Sequence, residues 1–365
     1  LIEETDQAYG VYEQGSFRTH LFERYLTTQD IAWPRLFSGE LQLDRDTFKM
    51  MALRYPQMAD LRELRKTLAE MREIKLTVGC DGRNRTLLSP FQSKTGRNQP
   101  STTKFIFGLP AWARSLIKPE PGTALAYLDF SSQEIAIAAC LSNDEALWEA
   151  YVSGDPYMQF AINAGLAPIG ATKESHEVVR DACKVIMLGV QYGMSAYGMG
   201  QKASLHVLEA EDLLQSHKDV YRTFWRWTDK NVNAGLAGVE LHTIYGWKIR
   251  AGKGKDVKEN TFLNWPMQAN GSEMLRLACI ALEEAGIGIC APVHDAILIE
   301  APLNEIDQHV ARATSLMQMA SEWVLGPGRQ CRVDAKIVRW PDRYIDGRGA
   351  NIWSFIQSRL GEEVA

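Results

Sequence analysis

The chain has 365 residues, 45% of them hydrophobic and 23% charged. That is room for two or three structural units, since single cores stop growing at about 250–300 residues, and the balance excludes a disordered or fibrous chain. No apolar run approaches the ~20 residues that span a bilayer, and a net charge of −5 does not by itself point to a polyanionic partner.

The opening Leu-Ile-Glu-Glu-Thr-Asp-Gln reads as an acidic helix with no initiator Met and no targeting segment, so further residues are expected upstream of Leu1. Between positions 57 and 76, Met58, Leu61, Leu64, Leu68, Met71 and Ile74 recur at spacings of three and four, which predicts an amphipathic helix. A loop rich in Gly, Asn, Ser and Pro follows from Gly79 to Pro110. From Arg72 to Lys118 nine Lys and Arg are opposed only by Glu73 and Asp81, either a solvated basic face or a patch that follows a phosphate backbone.

Gly122 then opens an apolar strand, Ala124–Asp129, continued by a helix over Glu134–Ser142. A further helix over Asp144–Gly154 is stopped by Gly154-Asp155-Pro156. Past Pro168 and Gly170 comes a long helix over about 176–192. Residues 204–234 are helical, with Tyr221, Phe224, Trp225 and Trp227 as core, and a basic hairpin-like stretch runs from Tyr245 to Lys255. A helix over Pro266–Glu284 precedes two apolar strands, Ile287–Val293 and Ala296–Glu300, joined at His294-Asp295 as a β-hairpin. The six cysteines include no Cys-x-x-Cys pair; five sit in apolar surroundings and read as core thiols, which fits a reduced, intracellular protein.

Three stretches carry chemistry. Asp129 and Asp295 each end an apolar strand; each alone serves equally well as a turn or helix cap, and together they can hold a pair of divalent cations. Arg180, Lys184, Leu188 and Tyr192 lie four residues apart and drift by only about 40° per step around a helix, giving one stripe with cations at one end and apolar groups at the other. Cations suit phosphates, and the apolar end suits a base and sugar. Gly193 and Gly198 bracket a possible pivot beyond it.

These stretches resemble motifs A, B and C of the family A DNA polymerases, the bacterial polymerase I and phage-type group. The matching segments are Asp129-Phe-Ser-Ser-Gln-Glu134, Arg180 to Ser195, and Val293-His294-Asp295-Ala296, joined by Thr95-Gly96-Arg97 and Asn264-Trp-Pro-Met-Gln268. The resemblance implies an α/β (α+β) right-hand polymerase with an antiparallel-sheet palm, helical fingers and a reduced helical thumb. It implies a partial thumb over 1–78, a first palm part over 79–142, fingers over 143–262 and a second palm part over 263–365.

It further implies that Asp129, Asp295 and the Phe130 carbonyl hold two Mg2+ ions, with Mn2+ able to substitute. Glu134 becomes a steric gate against a ribose 2′-hydroxyl. Arg180 and Lys184 grip a triphosphate, Lys184 serves as proton donor to pyrophosphate, Leu188 and Tyr192 line the nucleotide, and Arg97, Gln268, Asn264, His294 and Lys94 contact DNA. The expected partners are primer–template DNA and dNTPs, without a membrane, in the cytoplasm of a bacterial or phage-infected cell. A non-catalytic DNA-binding relative and a single-subunit RNA polymerase are the alternatives: retention of both metal acids speaks against the first and Glu134 against the second. Five departures from the family pattern stand out: Leu188 for Phe or Tyr, Ala296 for Glu, Ser132-Gln133 for Gln-Ile, Asn98-Gln-Pro for Leu-Ser-Ser, and Asn260 for an Arg.

Overall fold

A computed structural model of the chain describes residues 2–251 and 258–361, so the lysine-rich end of the expected basic hairpin lies outside the described residues. The chain forms two units. One comprises Leu1–Thr86, Ser101–Arg114 and Gly347–Ala365, the other Leu87–Pro100 and Ser115–Asp346.

In the first unit, helices α1 (Thr19–Thr28), α2 (Arg45–Arg54) and α3 (Ala59–Glu73) enclose an aromatic cluster of Phe22, Trp33 and Phe48. Asp44 starts α2 by accepting hydrogen bonds from the Asp46 and Thr47 amides as its N-cap. The helix expected over 57–76 is α3 preceded by a 3-10 turn at Pro56–Met58, where the proline ring fixes the entry. Met58, Leu61 and Leu64 are buried, whereas Met71 is exposed.

The second unit is built on a four-stranded antiparallel sheet. Its strands are β1 (Thr123–Phe130), β2 (Gly288–Val293), β3 (Ala296–Pro302) and β4 (Val333–Arg339), in the order β2-β3-β1-β4. β1 and β3 are central, and accordingly read as nearly unbroken apolar runs. Leu128, Ile297 and Ile299 are fully buried, each worth about 1.5–3 kcal/mol. Edge pairing is discouraged on both sides: β2 carries Pro292 and a register shift between Ile289 and Ala291, and β4 carries exposed Asp334 and Lys336.

Helix α4 (Gln133–Ser142) leaves the end of β1 and is almost wholly buried. A helical excursion follows: α5 (Glu145–Val152), α6 (Pro156–Asn163), α7 (Glu177–Gln191), α8 (Ala196–Ala203), α9 (Val207–Val220) and α10 (Arg222–Leu236). Asp144 caps α5 and also accepts from the Phe224 amide at 2.9 Å, so one carboxylate closes the excursion on itself. Helix α11 (Glu259–Glu284) returns the chain to the sheet and packs on α4, α10 and α12 (Ile306–Leu325). A Cβ at Gly271 would meet Gln133 Oε1 at 2.6 Å, which is why α4 and α11 can approach there.

Several expectations change. The helix expected to begin at Pro266 begins at Glu259 and runs through the proline, and Asn270 Nδ2 donates to the Pro266 carbonyl at 2.8 Å. The single helical stretch over 204–234 is two helices broken at Tyr221, which is fully buried together with Phe224. Cys80 and Cys290 are exposed rather than core thiols. No helix of the described residues is long and apolar enough to cross a membrane.

Candidate active site

Asp129 occupies the penultimate position of β1, opposite Ala296 on β3 and opposite Asp334 on β4. Asp295 sits in the turn that His294, at φ 55, makes between β2 and β3, and its carbonyl accepts from the Phe130 amide at 3.2 Å. Backbone pairing therefore brings together the two carboxylates that the sequence separates. Burial, then the charges of Asp295 and Asp334, push the Asp129 carboxyl up to about 7. Its Oδ1 is buried without a hydrogen-bond partner. An orphaned oxygen beside a like charge fits a divalent cation, which would supply the missing partner and offset the repulsion. Among the described residues, no three His, Cys, Asp or Glu side chains converge to hold a metal by themselves. A ligand oxygen or a backbone carbonyl such as that of Phe130 would have to complete the shell.

Asp334 was not visible in the sequence, because nothing local marks β4 as a partner of β1. The Ser131 hydroxyl donates to its carboxylate. On the other flank of Asp129, Ala296 is fully buried.

A second cluster surrounds Glu134 in the first turn of α4. Arg97 Nη2 lies 3.1 Å from its carboxylate, and the Tyr192 hydroxyl donates to the same oxygen at 3.0 Å. Gln268 lies near the Tyr192 hydroxyl, which burial followed by the Glu134 charge pushes up to about 12. Arg97, Glu134 and Tyr192, from three separate sequence regions, thus meet at one carboxylate. Asn264 lies half-buried one turn before Gln268 on α11.

Arg97 is carried by a loop that the rest of the unit grips by its backbone. The Lys94 carbonyl accepts from Trp247 Nε1 at 3.0 Å and Trp265 Nε1 at 2.8 Å. The Thr95 carbonyl accepts from Ser272 at 2.8 Å, and the Gly96 carbonyl from Arg276 at 2.7 Å. Gly96 has φ +71, left-handed backbone that glycine adopts at no steric cost. The Lys94 side chain and His294 are exposed.

The cationic stripe lies on α7. Arg180 is ion-paired with Asp155 at 2.5 Å and with Asp181 at 3.2 Å, while Lys184 is exposed. Leu188 is half-buried and packs on the core, and Tyr192 follows the last helical residue. Arg180 and Lys184 meet Tyr157 on α6. Nothing local singles out Tyr157, since its significance depends on how α6 packs on α7.

The sequence profile of DNA polymerase family A matches residues 92–337, well over half of the chain. DNA polymerase I, thermostable, of Thermus thermophilus is 28% identical over 213 residues, covering 55% of this chain and 25% of that protein. DNA polymerase I of Chloroflexus aurantiacus is 24% identical over 298 residues, covering 75% of this chain and 31% of that protein. The chain thus spans about a quarter to a third of the length of these relatives. Among solved structures, the POL domain of Pol1 from M. smegmatis, in complex with DNA primer–template and dNTP, superposes with a TM-score of 0.72 at 22% identity, covering 93% of this chain and 64% of that one. That likeness shows the fold, the mixed helix and antiparallel-sheet architecture of a polymerase domain. With the profile match spanning the sheet, the Asp129 and Asp295 strand ends and the α7 stripe, the chain belongs to DNA polymerase family A.

Proposed function

We propose that this chain is the polymerase portion of a template-directed DNA polymerase that adds dNTPs to a primer 3′-hydroxyl and releases pyrophosphate. The observation that carries the reading is the Asp129–Asp295 pair, two carboxylates held side by side at one sheet end with a buried, unpartnered oxygen between strand and solvent. Asp129, Asp295 and the Phe130 carbonyl would hold two divalent cations, Mg2+ or Mn2+. When bound, the ions would lower the pKa of the attacking hydroxyl and neutralise charge on the leaving group.

The protein's own groups do the rest. Arg180 and Lys184 bind the triphosphate, and Lys184 gives a proton to the departing pyrophosphate oxygen. Glu134 fills the space that a ribose 2′-hydroxyl would need, braced by Arg97 and Tyr192. Leu188 and Tyr192 line the base and sugar. Arg97 and Gln268 donate to minor-groove acceptors that recur in every correct pair, so geometry is checked without sequence being read. Asn264, His294 and Lys94 contact primer–template DNA. In this reading residues 1–78 are a partial thumb, 79–142 and 263–365 the palm, and 143–262 the fingers, acting in the cytoplasm of a bacterial or phage-infected cell. The M. smegmatis domain, solved with primer–template and dNTP, supports these partners by analogy of fold.

The test is primer extension on a primed template with Mg2+, dNTPs against rNTPs, with Asp295→Asn as control. Template-directed dNTP addition that the variant loses is the expected result. DNA binding without extension in either protein would overturn the reading in favour of an accessory subunit. Glu134→Ala should raise rNTP use; unchanged rNTP use would remove the gate assignment.

A further inference from the structure

We propose that Tyr157 is a positioning residue for the nucleotide's phosphates, its ring face being the platform that holds Arg180 and Lys184 side by side. The inference rests on the reading of those two cations as triphosphate ligands. The Arg180 guanidinium lies 5.3 Å and the Lys184 ammonium 5.7 Å from the centroid of this one ring, inside the ~6 Å reach of a cation–π contact. Like charges four residues apart on a helix repel, and an exposed Lys184 left alone would swing into water. The electron-rich face offsets that repulsion and gives both cations a common surface.

The ring is held rigidly. Pro156 opens α6, Asp155 caps it by accepting from the Met158 amide at 3.2 Å, and Tyr157 comes next, only 9% exposed. The same first turn gives Arg180 a carboxylate from Asp155 and a ring from Tyr157. The Tyr157 hydroxyl lies near the Ser132 side chain, which stands between Phe130 at the strand end and Glu134 on α4. Tyr157 therefore sits between the cationic face of α7 and the segment that joins β1 to α4. An incoming triphosphate that draws Arg180 away from Asp155 meets a guanidinium whose plane is already set.

The experiment is single-nucleotide incorporation with the 365-residue chain, measuring dNTP KM, kcat and primer–template Kd for wild type, Tyr157→Phe and Tyr157→Leu. Tyr157→Leu should raise the dNTP KM about 3- to 30-fold, the range of one to two cation–π contacts, with DNA affinity unchanged. Tyr157→Phe keeps the ring and should stay within about threefold of wild type. In the Lys184→Ala background the effect of Tyr157→Leu should shrink, because the ring acts through the cations. If Tyr157→Leu does not fold, fluorinated phenylalanines at 157 weaken the ring face without changing its shape, and KM should climb with each fluorine. A wild-type KM in Tyr157→Leu, a Phe variant as impaired as Leu, or a KM indifferent to fluorination would each overturn the proposal. A wild-type protein that incorporates no nucleotide fails the polymerase reading instead, which separates the two.

Discussion

At the end of the sheet, backbone pairing holds like charges together; on α7, side chains hold opposite charges together. Asp129 is fixed by β3 on one side and β4 on the other, facing Asp334 and next to Asp295, and among the described residues its Oδ1 has no hydrogen-bond partner. Arg180 has two carboxylates of its own, from Asp155 and Asp181. The first region is assembled but electrostatically incomplete, so a cation gains by entering. The second is electrostatically complete, so an anionic ligand must displace a competitor. A preformed site of the first kind favours tight capture, and one of the second kind favours discrimination among ligands strong enough to compete.

The contrast can be broken hardest at the sheet. Asp295→Asn should lower incorporation by at least about a hundredfold, because several kcal/mol of charge stabilisation is lost. The same variant should leave α7 ligand affinity, read by dNTP binding to the isolated protein, within about twofold.

Stability against pH sharpens the contrast. In the folded protein the Asp129 carboxyl keeps its proton until about pH 7, against a reference value of 3.8. The native state therefore loses stability as pH rises from about 4 to about 7, on the order of 1–2 kcal/mol once solvent screening is allowed for. Denaturant titrations in EDTA should show this fall, and Asp129→Asn or millimolar Mg2+ should flatten it. An unchanged profile would mean that the strand-end charges are not coupled.

A smaller effect is expected at the Arg97 loop. Trp265→Phe keeps a buried ring but removes one donor to the Lys94 carbonyl, costing about 1 kcal/mol in urea unfolding. The smallest change tests α7 directly. Asp155→Asn retains a cap for α6 while weakening the competitor for Arg180, and should lower the dNTP KM about two- to fivefold at low salt. A raised KM would show that Asp155 orients Arg180 rather than competing for it.

Legibility in the sequence followed locality. Asp129, Asp295 and the α7 stripe were readable because each lies in a short segment whose strand or helix period is plain. The β2–β3 hairpin was readable because its turn is two residues long. Asp334 was not, since its pairing with Asp129 spans most of the second unit and only the sheet order reveals it. Tyr157 was hidden for a related reason: Gly154-Asp155-Pro156 reads as the end of one helix, and its role in starting the next is set by packing. Pro266 misled because proline favours a first helical turn, whereas here the burial of Phe262 and Trp265 carries the helix through it.

Three successive main-chain carbonyls of the Arg97 loop, those of Lys94, Thr95 and Gly96, each accept from a side chain elsewhere in the unit. These three anchors survive a change of loop side chain, whereas a change of donor removes them. Mutational tolerance should be lopsided, with Asn98 and Gln99 free to drift and Trp247, Trp265, Ser272 and Arg276 constrained. Asn98-Gln-Pro, standing where the family pattern has Leu-Ser-Ser, is what such freedom leaves behind.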